Sequence, residues 1–95
     1  MSQPPVITAI EEVASSRGWH FRCDLGGAGE TLVRLDWADY GHWCPGGDVG
    51  PSFIAEAVIR TMLEHGATVP ADFDAARVRH VVPDADERIA ALVRR

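Results

Sequence analysis

Lysine is absent from this chain, and all nine of its basic residues are arginine. With alanine abundant, that bias is the mark of a GC-rich and most often bacterial genome, and the arginines are too scattered to define one surface for carboxylate or phosphate contacts. Cysteine occurs only twice. Two thiols are too few for a stapled scaffold and are expected to be free in a reducing compartment. No apolar run approaches the roughly 18 residues that cross a bilayer, and Met1-Ser-Gln-Pro-Pro5 lacks the basic and apolar segments of a signal peptide. A cytoplasmic protein with no membrane contact is therefore expected. The chain also lacks internal repeats, low-complexity tracts and linkers. A net charge of −5 opposes general affinity for phosphate backbones and makes nucleic acid a disfavoured partner.

What is present reads as one small α+β domain over residues 1–95, with residues 1–4 disordered. Apolar residues make up 46% and charged residues 24%, near the globular average, so one modest core is expected. The plainest signal is Pro51 to Gly66. Ile54, Val58, Thr61 and Met62 recur at helical spacing, and Phe53, Ala57, Ile59 and Leu63 widen that stripe. Glu56, Arg60 and Glu64 gather on another face. Pro51 suits the first turn, Ser52 can cap it and Gly66 can end it. This predicts a central helix.

Upstream, Val6, Ile10, Val13 and Ala14 predict an N-terminal helix over Val6–Arg17, with Gly18 as its stop. The period then changes to two. Trp19, Phe21, Cys23 and Leu25 alternate with His20, Arg22 and Asp24, and Val33, Leu35 and Trp37 alternate with Arg34 and Asp36 across the turn Gly26-Gly-Ala-Gly-Glu30. This predicts an antiparallel β-hairpin. Charge pairing favours the register that sets Asp24 opposite Arg34 and Arg22 opposite Asp36. Two strands alone are marginal, so helices or a second copy's strand must complete them, and a homodimer is an open option.

Trp37 to Gly50 mixes three aromatics with four glycines and a proline, predicting an aromatic loop with at most one short helical turn. Two short C-terminal helices complete the chain. Asp72 caps the first, through Phe73, Ala76, Val78 and Val81 to Pro83. A capping box at Asp84-Ala-Asp-Glu87 opens the second, with Ile89, Leu92 and Val93 as its apolar stripe and Arg94-Arg95 at its end.

No catalytic motif emerges, and no catalytic residue or required cofactor is assigned. The strongest functional reading is a non-catalytic protein-binding or assembly module, acting on a protein partner or itself, with Trp37, Tyr40, His42 and Trp43 as anchors. Packing of these rings back onto the core is the competing expectation. The second reading is a zinc- or thiol-dependent site from His20, Cys23, His42 and Cys44, whose imidazoles and thiols are suitable zinc ligands. Against it, residues three apart on a strand face opposite ways, and the spacing fits no common zinc module. The acids Asp36, Asp39 and Asp48 could collect at the loop around a hard cation, although solvated loop acids are the commoner case. Gly46-Gly-Asp-Val-Gly50, just ahead of the central helix, offers amides to an anion but no basic residue.

A third reading comes from Val33-Arg-Leu-Asp36 followed by Pro51-Ser-Phe-Ile-Ala-Glu-Ala-Val-Ile-Arg60. This order resembles ribbon-helix-helix DNA-binding proteins, which pair one strand across a dimer ahead of two helices. The likeness covers about a third of the chain and implies a DNA-binding dimer. An extra strand, an aromatic loop in place of the first helix and the acidic charge depart from that pattern, so no DNA-contact residue carries over.

Overall fold

Strand structure reaches further toward the N-terminus than the hairpin alone. In the computed structural model, which describes residues 9–15, 17–25 and 29–93, three strands form an antiparallel meander. They are β1 (Ala9–Ser15), β2 (Gly18–Asp24) and β3 (Glu30–Asp36). The helix expected over Val6–Arg17 is thus replaced by a strand. Its pattern was ambiguous because Ile10 and Ala14, four apart, satisfy one helical turn and two strand repeats equally. Pairing decides between them: β1 runs along the whole of β2, from Ala9 opposite Asp24 to Ser15 opposite Gly18. That gives the hairpin the third strand it needs. Residues 1–4, expected to be disordered, and the pair Arg94-Arg95 lie outside the described residues.

Gly18, expected as a helix stop, instead opens β2 at φ 155°, and a Cβ built on it would lie 2.0 Å from the Leu35 carbonyl oxygen. Only glycine lets β3 pass this close.

The β2–β3 register also differs from expectation. Arg34 lies opposite His20 and Arg22 opposite Leu32, four residues along β2 from the charge-matched arrangement. Leu25 N–H donates to the Gly29 carbonyl at 2.7 Å just beyond the paired residues. All these registers keep Phe21, Cys23, Val33 and Leu35 on the same inward face, so burial cannot choose among them. The charges find other partners. Arg22 reaches Glu30 diagonally at 3.7 Å, and Arg34 pairs with Asp72 and Asp74 of a fourth strand, the latter at 3.8 Å.

That fourth strand, β4 (Asp72–Asp74), lies parallel to β3 and completes the order β1-β2-β3-β4. Asp72 is therefore a strand residue and not a helix cap. Phe73 enters the core, a 3-10 turn follows at Ala75–Arg77, and only Val78–Val81 form the helix α3. Ala75, Val78 and Val82 point inward, whereas Val81, expected on the apolar stripe, is exposed.

Between β3 and β4 run two helices, α1 (Trp37–Trp43) and α2 (Pro51–Glu64). The first occupies what was expected to be a loop. It stops where Cys44 precedes Pro45, since a residue before proline is pushed out of the helical region. The second is the expected central helix, with Pro51 in its first turn. Its N-cap is Gly50 and carries no side-chain cap bond, so Ser52 does not cap it. Gly66 at φ 85° ends it, with Ala67 N–H reaching back to the Met62 carbonyl at 3.0 Å.

Ile54, Ala55, Val58, Ile59 and Met62 of α2 pack with the sheet's inward residues as the core, while Phe53, counted with that stripe, is 44% exposed. The last helix, α4 (Ala85–Val93), buries Ile89 and carries Asp86 and Glu87 in its first turn. The result is the expected small α+β domain, with two more strands than anticipated. Among the described residues no helix is long and apolar enough to cross a membrane.

Candidate binding surface

Trp37 leaves β3 directly into α1, and its backbone N–H is held by the Arg17 carbonyl at 3.0 Å. The residue is 59% exposed. The ring rests on Trp19 of β2 with centroids 4.4 Å apart and planes tilted by 47°. Trp19 in turn meets Tyr40 edge-on at 5.3 Å. Tyr40 is tied down by its hydroxyl, which donates to the Val49 carbonyl. Burial first, then the neighbouring Cys44 and Asp48, push its phenol above the ordinary value and keep it a neutral donor. Three rings thus form a braced cluster with its outermost member in water. Neither Trp19 nor Trp37 has an acceptor for its indole N–H among the described residues.

The other two expected anchors belong to a different structure. Trp43 is buried and donates its indole N–H to Asp86 at 2.7 Å. Arg79 of α3 lies over the Trp43 ring at 4.7 Å and donates to Asp86 at 2.8 Å and to Asp39 at 2.9 Å. One guanidinium therefore joins α1, α3 and α4. Burial alone would raise the Asp86 carboxyl, yet the bonds from Trp43 and Arg79 and the charges of Arg79 and His42 outweigh it and hold it below the ordinary range. Burial likewise works against the charge on Arg79, and the two carboxylates more than restore it. His42 stays at the surface, 3.7 Å from Asp86. Of the four aromatic-loop residues, then, Trp37 faces outward, Tyr40 braces it, His42 flanks an ion pair and Trp43 is core.

The zinc set does not converge. Cys23 is fully buried on the inner face of β2, where its thiol contacts the Phe21 carbonyl, while His20 lies on the opposite face. Burial and, next, the charge of Glu56 push the Cys23 thiol up to about 11. Cys44 donates to Asp48 at 3.5 Å. It lines, with His42, Trp43 and residues of α4, a cavity of about 190 Å³. No histidine nitrogen is hydrogen-bonded to either thiol among the described residues. Nor do three His, Cys, Asp or Glu side chains gather there to hold a metal ion. The acids considered for a hard cation have separate partners, Asp39 with Arg79 and Asp48 with Cys44.

Sequence reasoning missed Trp19 as part of the exposed cluster, because alternation assigned it simply to the inner face. It also missed Arg79 and Asp86. No local signal joins residues from three helices, although buried tryptophan generally needs an acceptor for its N–H. No protein-family model matches the chain, and no curated protein or solved structure matches it.

Proposed function

We propose that this chain is a non-catalytic protein-binding module whose contact surface is centred on Trp37. The observation that carries the reading is one large aromatic residue, 59% exposed, its ring fixed from beneath by Trp19 at 4.4 Å. Tryptophan is usually highly buried. Held rigid in water, it presents much apolar area and loses little conformational entropy on binding, which is what interface anchors do. Cys23 donates to the Phe21 carbonyl and Cys44 to the Asp48 carboxylate, and among the described residues no histidine nitrogen is hydrogen-bonded to either thiol, which favours this reading over a thiol site. Both cysteines are free, which fits a reducing cytoplasm, and the all-arginine composition fits a bacterial source. The partner is another protein or a second copy of the chain.

A photo-reactive residue at exposed Ala38, beside Trp37, tests this in the cell of origin. A discrete crosslinked protein, lost on adding Trp37→Ala and not formed from a probe at exposed Arg60, is expected. If Trp37→Ala lowers only the melting temperature and leaves every crosslink in place, the ring is structural and the reading fails.

A further inference from the structure

We infer that the outer flank of α2 is a self-association surface, on which a second copy of the chain pairs its own α2 antiparallel about a two-fold axis. This goes beyond the Trp37 reading and uses different residues. Phe53, 44% exposed, lines a cavity of about 130 Å³ together with Glu56, Ala57, Arg60 and Leu92 of α4. Glu56 and Arg60 stand one helical turn apart, the spacing of an internal ion pair. Yet neither has an ion-pair or hydrogen-bond partner among the described residues.

An apolar ring beside an unpaired acid and an unpaired base is only partly satisfied by a partner that is wholly acidic, basic or apolar. A second copy satisfies all of it. In a two-fold contact each residue meets its counterpart reciprocally. Two antiparallel helices therefore set Glu56 of each copy opposite Arg60 of the other, making two ion pairs from one. The same register places Phe53 of each copy opposite Leu63 of the other, which is half-buried in the single chain. Ala57 falls near the axis, where a small side chain lets the helices approach. Glu64, exposed on the same flank, comes opposite Ser52 and meets no like charge. The second copy on α2 leaves the Trp37 surface to a different protein.

The test is sedimentation equilibrium of the intact protein to about 1 mM, well above the dissociation constant on the order of 100 µM expected of a contact this small. Wild type is expected to dimerise. Glu56→Arg and Arg60→Glu each set like charges opposite one another twice, and each should weaken pairing on the order of tenfold or more. An equal mixture of the two variants restores both attractions and should associate again, as should the single chain carrying both changes. Phe53→Ser, at an exposed position, tests the ring apart from the charges and should weaken pairing several-fold. A wild-type monomer throughout, or a mixture no more associated than either variant alone, overturns the inference. Trp37→Ala should leave the dimer intact; its loss there would put the second copy on the other surface and overturn the inference as well. The crosslink from Ala38 decides the Trp37 reading separately.

Discussion

Replacing Arg79 by alanine removes a guanidinium that joins three helices, and its effect can be worked from the geometry. The Arg79 side chain is 32% exposed and that of Asp39 18%, so their 2.9 Å bond is partly desolvated. A hydrogen bond to a charged group contributes about 1.5–3 kcal/mol, and the lower end applies at this exposure. The bond to Asp86, whose side chain is 44% exposed, is screened further. It contributes about 0.5–1 kcal/mol. The cation over the Trp43 ring adds about 0.5–1 kcal/mol. Together these predict a loss of about 3 kcal/mol for Arg79→Ala. For a domain of this length each kcal/mol moves the melting temperature by about 4–8 °C, so a fall of about 12–24 °C is expected. Urea unfolding followed by tryptophan fluorescence measures the free energy directly. A double-mutant cycle with Asp39→Ala should return a coupling of about 1 kcal/mol or more. Arg88→Ala, which breaks an exposed pair with Asp84 one helical turn away, should cost less than about 0.5 kcal/mol. If Arg79→Ala costs no more than Arg88→Ala, the three-helix tie is ornamental and the reasoning is refuted.

Two further predictions concern the sheet. Gly18→Ala forces a Cβ against the Leu35 carbonyl and should destabilise by about 2–4 kcal/mol, visible as a lower urea midpoint with an unchanged slope; a loss below about 0.5 kcal/mol would mean β3 yields freely there. Cys23 gives a pH signature. Its folded value, about 11, lies above the ordinary 9.0, so its contribution to stability is intact below pH 9 and is lost as pH rises from 9 through 11. Cys23→Ala should flatten that part of the stability profile relative to wild type, leaving only the decline due to Tyr40. Superimposable profiles would show that Cys23 ionises as easily folded as unfolded.

How far the fold was legible depends on which residues carry one period only. From Ile54 to Met62 the spacing fits a helix and nothing else, and α2 formed as read. Trp19 to Leu25 fits a strand and nothing else, and β2 formed too. Ile10 and Ala14 fit both periods, and only the availability of β2 as a neighbour made them a strand. Asp72 offers a plausible helix cap within its own neighbourhood, yet Arg34, 38 residues earlier, claims it. Register failed for the same reason, because the partners of Arg34 come from a strand that local pattern could not show. At the candidate surface, aromatic content marked one segment but could not divide it. The separation of Trp37 from Trp43 rests on Asp86, which lies 43 residues beyond Trp43.

The junction of β3 with β4 bears on how this chain acquires its structure. The meander closes between segments adjacent in sequence, whereas β4 docks only after α1 and α2 have returned the chain. The clasp consists of Leu32 N–H on the Ala71 carbonyl at 2.8 Å, the Thr31 hydroxyl on the Pro70 carbonyl at 2.6 Å and the Arg34 pair with Asp72. Loop-closure entropy grows with the length enclosed, so the meander forms early and this clasp late. Until it shuts, the sheet has a bare edge at β3 and the inward side of α2 lacks Phe73 and Val78. The interval before that clasp closes is when a nascent copy is most prone to pair with another.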